Sequence, residues 1–108
     1  MDEKISQKIR ELQELEQRSQ QTLMQKQSFQ IELNEISNAL DELQKTGDEV
    51  YKILSGIMVK SEKQEILKEL EEKKKINDLK INSISKQEIQ VNDKIEKLRE
   101  EITKGMKN

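Results

Sequence analysis

From Ile5 onward, apolar residues return at alternating steps of three and four. The series runs Ile5, Lys8, Leu12, Leu15, Ser19, Thr22, Lys26, Phe29, Leu33, Ile36, Leu40 and Leu43, and only Lys8, Ser19, Thr22 and Lys26 interrupt its apolar character. A helix turns once in 3.6 residues, so this spacing gathers a narrow stripe on one face, the seam of a coiled coil. It predicts a first helix over 2–46. Asp2 is placed to cap its N-terminus, and Gly47 lies just past its C-terminus, where a left-handed backbone costs glycine little. A second series runs Leu67, Leu70, Lys74, Asn77, Ile81, Ile84, Glu88, Val91, Ile95, Leu98, Ile102 and Gly105. It predicts a second helix over 62–104, opened by a capping box of Ser61 and Gln64 and stopped by Gly105.

Each helix would reach roughly 65 Å at 1.5 Å per residue. The segment from Gly47 to Lys60 is too short to let two such helices run parallel, so they fold back on each other. Counting outward from the link pairs Leu43 with Leu67, Leu40 with Leu70, Phe29 with Ile81, Leu15 with Ile95 and Leu12 with Leu98. Between these, Ile36 meets Lys74, Lys26 meets Ile84 and Ser19 meets Val91. The seam is therefore expected to be tight at the link, loose midway and apolar again towards the termini.

The link differs in character. Residues 48–60 contain Val50-Tyr51-Lys52-Ile53-Leu54, then Ser55-Gly56, then Ile57-Met58-Val59-Lys60. Two β-rich runs around a central Ser-Gly pair predict a hairpin with a tight turn. With that turn, Val50, Lys52, Leu54, Ile57 and Val59 share one face, and Tyr51, Ile53, Met58 and Lys60 share the other. Both faces carry apolar residues, and a lone two-stranded hairpin is marginal in water. Association with other hairpins is the economical way to cover its faces and edges. The expected fold is mainly α: a long antiparallel two-helix coiled coil with a β-hairpin at the connecting end, in one domain over 1–108.

Composition agrees with this and removes most chemistry. Of 108 residues, 39% are charged, 31% hydrophobic and only 2% aromatic, too little bulk for a compact globular interior. Proline is absent, so nothing forces a helix to kink. Histidine and cysteine are absent too, which removes the commonest general base, metal ligand and nucleophile. Glu71-Glu72 and Glu100-Glu101 are read as solvated helix surface, and the isolated Gly47, Gly56 and Gly105 make no phosphate-binding loop. An enzyme is excluded, and no cofactor or metal is expected.

The net charge of −2 has both signs interspersed, unlike a nucleic-acid binder. Lys73-Lys74-Lys75 is the one basic run, flanked by Glu69, Glu71, Glu72 and Asp78, and is read as a solvated face. No apolar run approaches a membrane span, and Met1-Asp2-Glu3-Lys4-Ile5 begins no signal-peptide core, so a cytoplasmic location is expected.

Near the termini, Ile5, Ile9, Leu12 and Leu15 face Ile95, Leu98, Ile102 and Met106. These residues close the coiled coil. Ile9 and Met106 nevertheless lie off the seam, and helix ends fray, so an apolar tip able to hold another protein's apolar segments is the second reading.

The order helix, hairpin, helix, with Val50-Tyr51-Lys52 before Gly56 and Ile57-Met58-Val59-Lys60 after it, resembles the β-type subunit of prefoldin, the archaeal kind above all. Gln20-Gln21, Gln25-Lys26-Gln27 and Leu33-Asn34-Glu35 in the first helix are similar too. The resemblance spans essentially the whole chain. It implies a holdase chaperone subunit that binds unfolded or nascent proteins without ATP and delivers them to a group II chaperonin. It also implies a hetero-hexamer of two alpha and four beta subunits, built from a prefoldin alpha-type partner and joined through the hairpins. Carried onto this chain, oligomerisation falls to Val50, Tyr51, Ile53, Leu54, Ile57, Met58 and Val59. Client binding falls to Ile5, Ile9, Leu12, Leu98, Ile102 and Met106. The alternative is a structural scaffold or tether, whose seam should be apolar throughout and whose middle needs no hydrophobic hairpin.

Overall fold

The structure, a computed structural model, describes residues 2–107. Their order is α1 (Glu3–Lys45), β1 (Val50–Leu54), β2 (Ile57–Ser61) and α2 (Lys63–Lys107). Two long helices with an antiparallel two-stranded hairpin between them are the fold class that the spacing predicts.

Asp2 caps α1. Its carboxylate accepts the Lys4 N–H at 3.2 Å, a group that a helix start otherwise leaves unpaired, and its carbonyl accepts the first intrahelical bond, from the Ser6 N–H at 3.1 Å. The C-terminal end departs from expectation. Gly47 does not adopt a left-handed backbone; among the described residues only Ser55 and Gly56 have positive φ. Side chains do the capping instead. Thr46 donates both its N–H (3.4 Å) and its hydroxyl (3.0 Å) to the Leu43 carbonyl, and the Lys63 ammonium donates to the Thr46 carbonyl at 2.7 Å. With these carbonyls satisfied, no left-handed turn is required.

Both predicted limits of α2 are corrected as well. Ser61 pairs with Val50 as the last residue of β2, and its hydroxyl donates to the Val59 carbonyl, so it is held in the strand and forms no capping box with Gln64. Glu62 takes the capping position, its carbonyl accepting the Ile66 N–H at 3.1 Å. At the far end α2 runs through Gly105 to Lys107. A Cβ at Gly105 would lie 3.0 Å from Ile5 Cδ1. The glycine makes room for the facing helix and does not end its own.

In the hairpin, Val50 pairs with Ser61, Tyr51 with Lys60, Lys52 with Val59, Ile53 with Met58 and Leu54 with Ile57. That leaves Ser55 (φ 49°) and Gly56 (φ 81°) as a two-residue turn with both residues left-handed. Such type I′ turns match the twist of the strands they join, and glycine at the second position avoids the Cβ penalty.

The chain divides into two compact units, to both of which α1 and α2 contribute: Met1–Ser28 with Asn82–Asn108, and Phe29–Ile81. In the terminal unit, Leu15, Val91, Ile95 and Leu98 form a buried cluster with Leu12 packed against it, and Ile84 and Ile102 are buried too. The helices pair antiparallel there. Ile5 meets Gly105, Lys8 meets Glu101 at 3.5 Å, Glu16 meets Arg99 at 3.2 Å and Lys26 meets Glu88 at 3.3 Å. The seam turns polar at Ser19, which donates to Asn92 at 3.4 Å, and at buried Thr22. In the hairpin unit Ile36, Leu40 and Val50 are buried, and Lys80 sits 5.3 Å from the Phe29 ring centroid. Asn77 is buried among these seam positions, whereas Lys74 turns out to solvent.

Candidate functional site

Alternation along the two strands sends every second side chain to each face of the hairpin, and a single chain offers nothing to cover most of them. Ile53 is 71% exposed, Met58 67% and Ile57 65%. Tyr51, Leu54 and Val59 are exposed as well. The register puts Leu54, Ile57 and Val59 on one face and Tyr51, Ile53 and Met58 on the other, so both sides are apolar. Exposed apolar residues concentrated on a short, two-edged sheet mark a surface made for contact.

Val50 is the exception among the seven hairpin residues singled out from the sequence: it is buried in its own chain. Lys52, two residues on and on the same face, shows why. Its ammonium donates to both carboxylate oxygens of Glu69 on α2, at 3.1 and 2.8 Å. The base of that face thus lies towards α2, and Val50 goes with it. The hydrogen bond from Lys52, followed by its positive charge, holds the Glu69 carboxyl below the usual carboxylate range. This contact ties β1 to α2, and the Lys63–Thr46 bond ties the start of α2 to the end of α1.

The helix ends present less than the sequence suggests. Met106 is exposed, and Ile5, Ile9 and Leu12 are half-buried. Leu98 and Ile102 are buried in the seam. Residues named together as one tip surface therefore split between solvent and core.

Several exposed apolar residues were missed by following the seam alone. Met24 and Ile31 on α1, and Ile76, Leu79 and Ile89 on α2, all point outward. Their signal was present in the sequence, since they are apolar residues at positions that the three-four stepping skips. Among the described residues no helix is long and apolar enough to cross a membrane, and no group of His, Cys, Asp and Glu is arranged to hold a metal ion.

The prefoldin subunit family model matches residues 6–108. The chain is 33% identical over 99 residues to prefoldin subunit beta of Pyrococcus furiosus, covering 90% of this chain and 85% of that one. It is 38% identical over 94 residues to prefoldin subunit beta of Archaeoglobus fulgidus, covering 85% and 75% respectively. Among solved structures, the prefoldin beta subunit from Thermococcus strain KS-1 superposes with a TM-score of 0.90 at 29% identity, covering 99% of this chain and 96% of that one. Helix, apolar hairpin and helix, matched end to end, place this chain in the prefoldin family of chaperone subunits, among those of the archaeal beta type.

Proposed function

We propose that the chain is one subunit of a cytoplasmic, ATP-independent holdase that keeps unfolded or nascent proteins from aggregating and passes them to a group II chaperonin. The observation that carries this reading is the hairpin, whose two faces expose Tyr51, Ile53, Leu54, Ile57, Met58 and Val59. Apolar surface gains about 25 cal/mol for each Å² removed from water, so hairpins that cover one another assemble without any bound nucleotide. We assign assembly to those six residues, with Val50 anchoring the hairpin to its own helices. The assembly is a hetero-hexamer of two alpha-type and four beta-type subunits, which leaves the helix ends free to meet clients.

Client contact is assigned to Met106, Ile5, Ile9 and Leu12 directly. Leu98 and Ile102 join them where the two helix ends part locally, as frayed ends do. Apolar contact of this kind is indifferent to client sequence, which suits a general chaperone, and several arms acting together raise weak contacts to useful avidity.

The test is suppression of aggregation of a chemically unfolded protein by the complex with a prefoldin alpha-type subunit. Suppression unchanged by ATP is expected. Leu12→Ser combined with Leu98→Ser should weaken it several-fold, and full activity in that variant would remove the helix ends from the client site. A complex that assembles yet suppresses nothing would favour a scaffold.

A further inference from the structure

The outward-facing apolar residues of the hairpin unit are matched in a way the seam does not require. Within this unit α1 and α2 keep a fixed register, with Thr46 opposite Lys63 and Phe29 opposite Lys80. Residues whose numbers sum to about 110 therefore stand at the same distance from the hairpin. In this register Ile31 and Leu79, 61% and 69% exposed, share one level, each on the side of its helix that faces away from the seam. One turn nearer the hairpin, exposed Glu35 on α1 stands level with exposed Lys75 on α2. Two further turns nearer, Glu42 stands level with Lys68, again acid against base and again on the outer sides. At these three levels the outer face of α1 carries apolar, acid and acid where the outer face of α2 carries apolar, base and base; between the two charged levels stand Asn38 and Glu72.

These pairs cannot meet within one chain, because the seam lies between them. They meet when a second copy stands alongside, its hairpin level with the first and its helices running the same way. We infer that the proximal helices of neighbouring copies of this chain pack side by side, α1 of one against α2 of the next, through Ile31 on Leu79, Glu35 on Lys75 and Glu42 on Lys68. The occupant is a second copy because all three pairs fall level in the register that the chain's own hairpin imposes. Like charges share two levels, Asp41 with Glu69 and Glu32 with Asp78; Glu69 is already engaged by Lys52 of its own chain, and Glu32 and Asp78 lie beside the seam and not on the outer sides. The contact continues the hairpin surface along the helices, and so rests on the hairpin assembly proposed above. It gives neighbouring copies a fixed direction, since α1 pairs with the neighbour's α2 and like helices do not pair.

The chain has no cysteine, so introduced thiols report without background. Ile31→Cys with Leu79→Cys in one chain places the two thiols on opposite outer sides, where they bridge only between copies. Assembled with the alpha-type subunit and mildly oxidised, this double variant should give at least about five times the cross-linked dimer of either single variant, because a disulfide needs Cα atoms within about 7 Å. Charge reversal supplies the second reading: Glu35→Lys should reduce cross-linking and added Lys75→Glu should restore it. An intact complex whose double variant cross-links no better than the singles overturns the arm contact and leaves hairpin assembly standing. Failure of the wild-type chain to assemble overturns both.

Discussion

Asn77 is only 3% exposed, and its side-chain nitrogen has no hydrogen-bond partner. It stands at the level of Leu33, with Phe29, Ile36 and Ile81 at neighbouring seam positions. Leaving a buried polar group unpaired costs about 1–3 kcal/mol. Leucine branches at the same carbon as asparagine and is favoured at such seam positions, so Asn77→Leu removes that cost and adds apolar burial of about 1.5–3 kcal/mol. Its two methyl groups are larger than the amide atoms, and crowding of this kind takes back about 1–3 kcal/mol. The balance is a stabilisation of about 2 kcal/mol, or roughly 8 °C in melting temperature for a chain of this length. Far-UV circular dichroism during heating and in urea measures it, the urea midpoint rising with unchanged slope. Asn77→Asp should move the opposite way, since a charge is then buried without a partner. A fall in stability for Asn77→Leu would mean that the amide is satisfied in solution, and the reasoning about this layer would be wrong.

Other perturbations probe separate parts of the chain. Ile95→Ala, in the buried cluster with Leu15, Val91 and Leu98, should cost about 3 kcal/mol in urea unfolding, the usual loss when a large aliphatic side chain leaves a cavity. Gly56→Val should destabilise the hairpin by about 1–2 kcal/mol, because φ of 81° suits glycine and not a β-branched residue, whereas Ser55→Asn at φ 49° should be neutral or stabilising; the thermal stability of the assembled complex reads both. Acidification should release the Lys52–Glu69 contact. The Glu69 pKa is lowered in the fold, so its stabilisation is complete above the unfolded carboxylate value and disappears as pH falls through the lowered one. Titration of Glu69 followed by NMR should show this depression, and Lys52→Gln should remove most of it, since only the weaker pull of the Lys73 charge then remains.

How far the sequence carried the account depends on whether a feature is periodic or depends on a particular partner. The helices and seam were legible because Leu12, Leu15, Ile36, Leu40, Ile95 and Leu98 recur at the helical repeat, and each is buried or half-buried. The hairpin was legible because Ser55-Gly56 sits between two β-rich runs, which fixes the turn, the register and hence both faces. The helix ends were less legible. Gly47 and Gly105 each resemble a helix stop, but Thr46 and Lys63 satisfy the carbonyls at one, and Ile5 fills the space beside the other. Val50 could not be separated from its exposed neighbours without knowing that Lys52 reaches Glu69. The division of the tip residues into buried Leu98 and Ile102 and exposed Met106 likewise depends on how the facing helix packs. The asparagine at position 77 was visible as a polar break in the seam, but its missing partner was not.

The claim beneath the functional reading is that the exposed hairpin builds the complex on which chaperone activity depends. Ile53→Lys with Met58→Lys places two charges on one face of the hairpin, at a residue pair that is exposed in the single chain and so not needed to fold it. Particle mass by light scattering, measured with the alpha-type subunit and paired with aggregation suppression, should show one assembled species for the wild-type chain and full suppression. The variant should keep its helical circular dichroism, remain unassembled and lose suppression. A variant that assembles to the same mass and protects clients equally well would contradict the account.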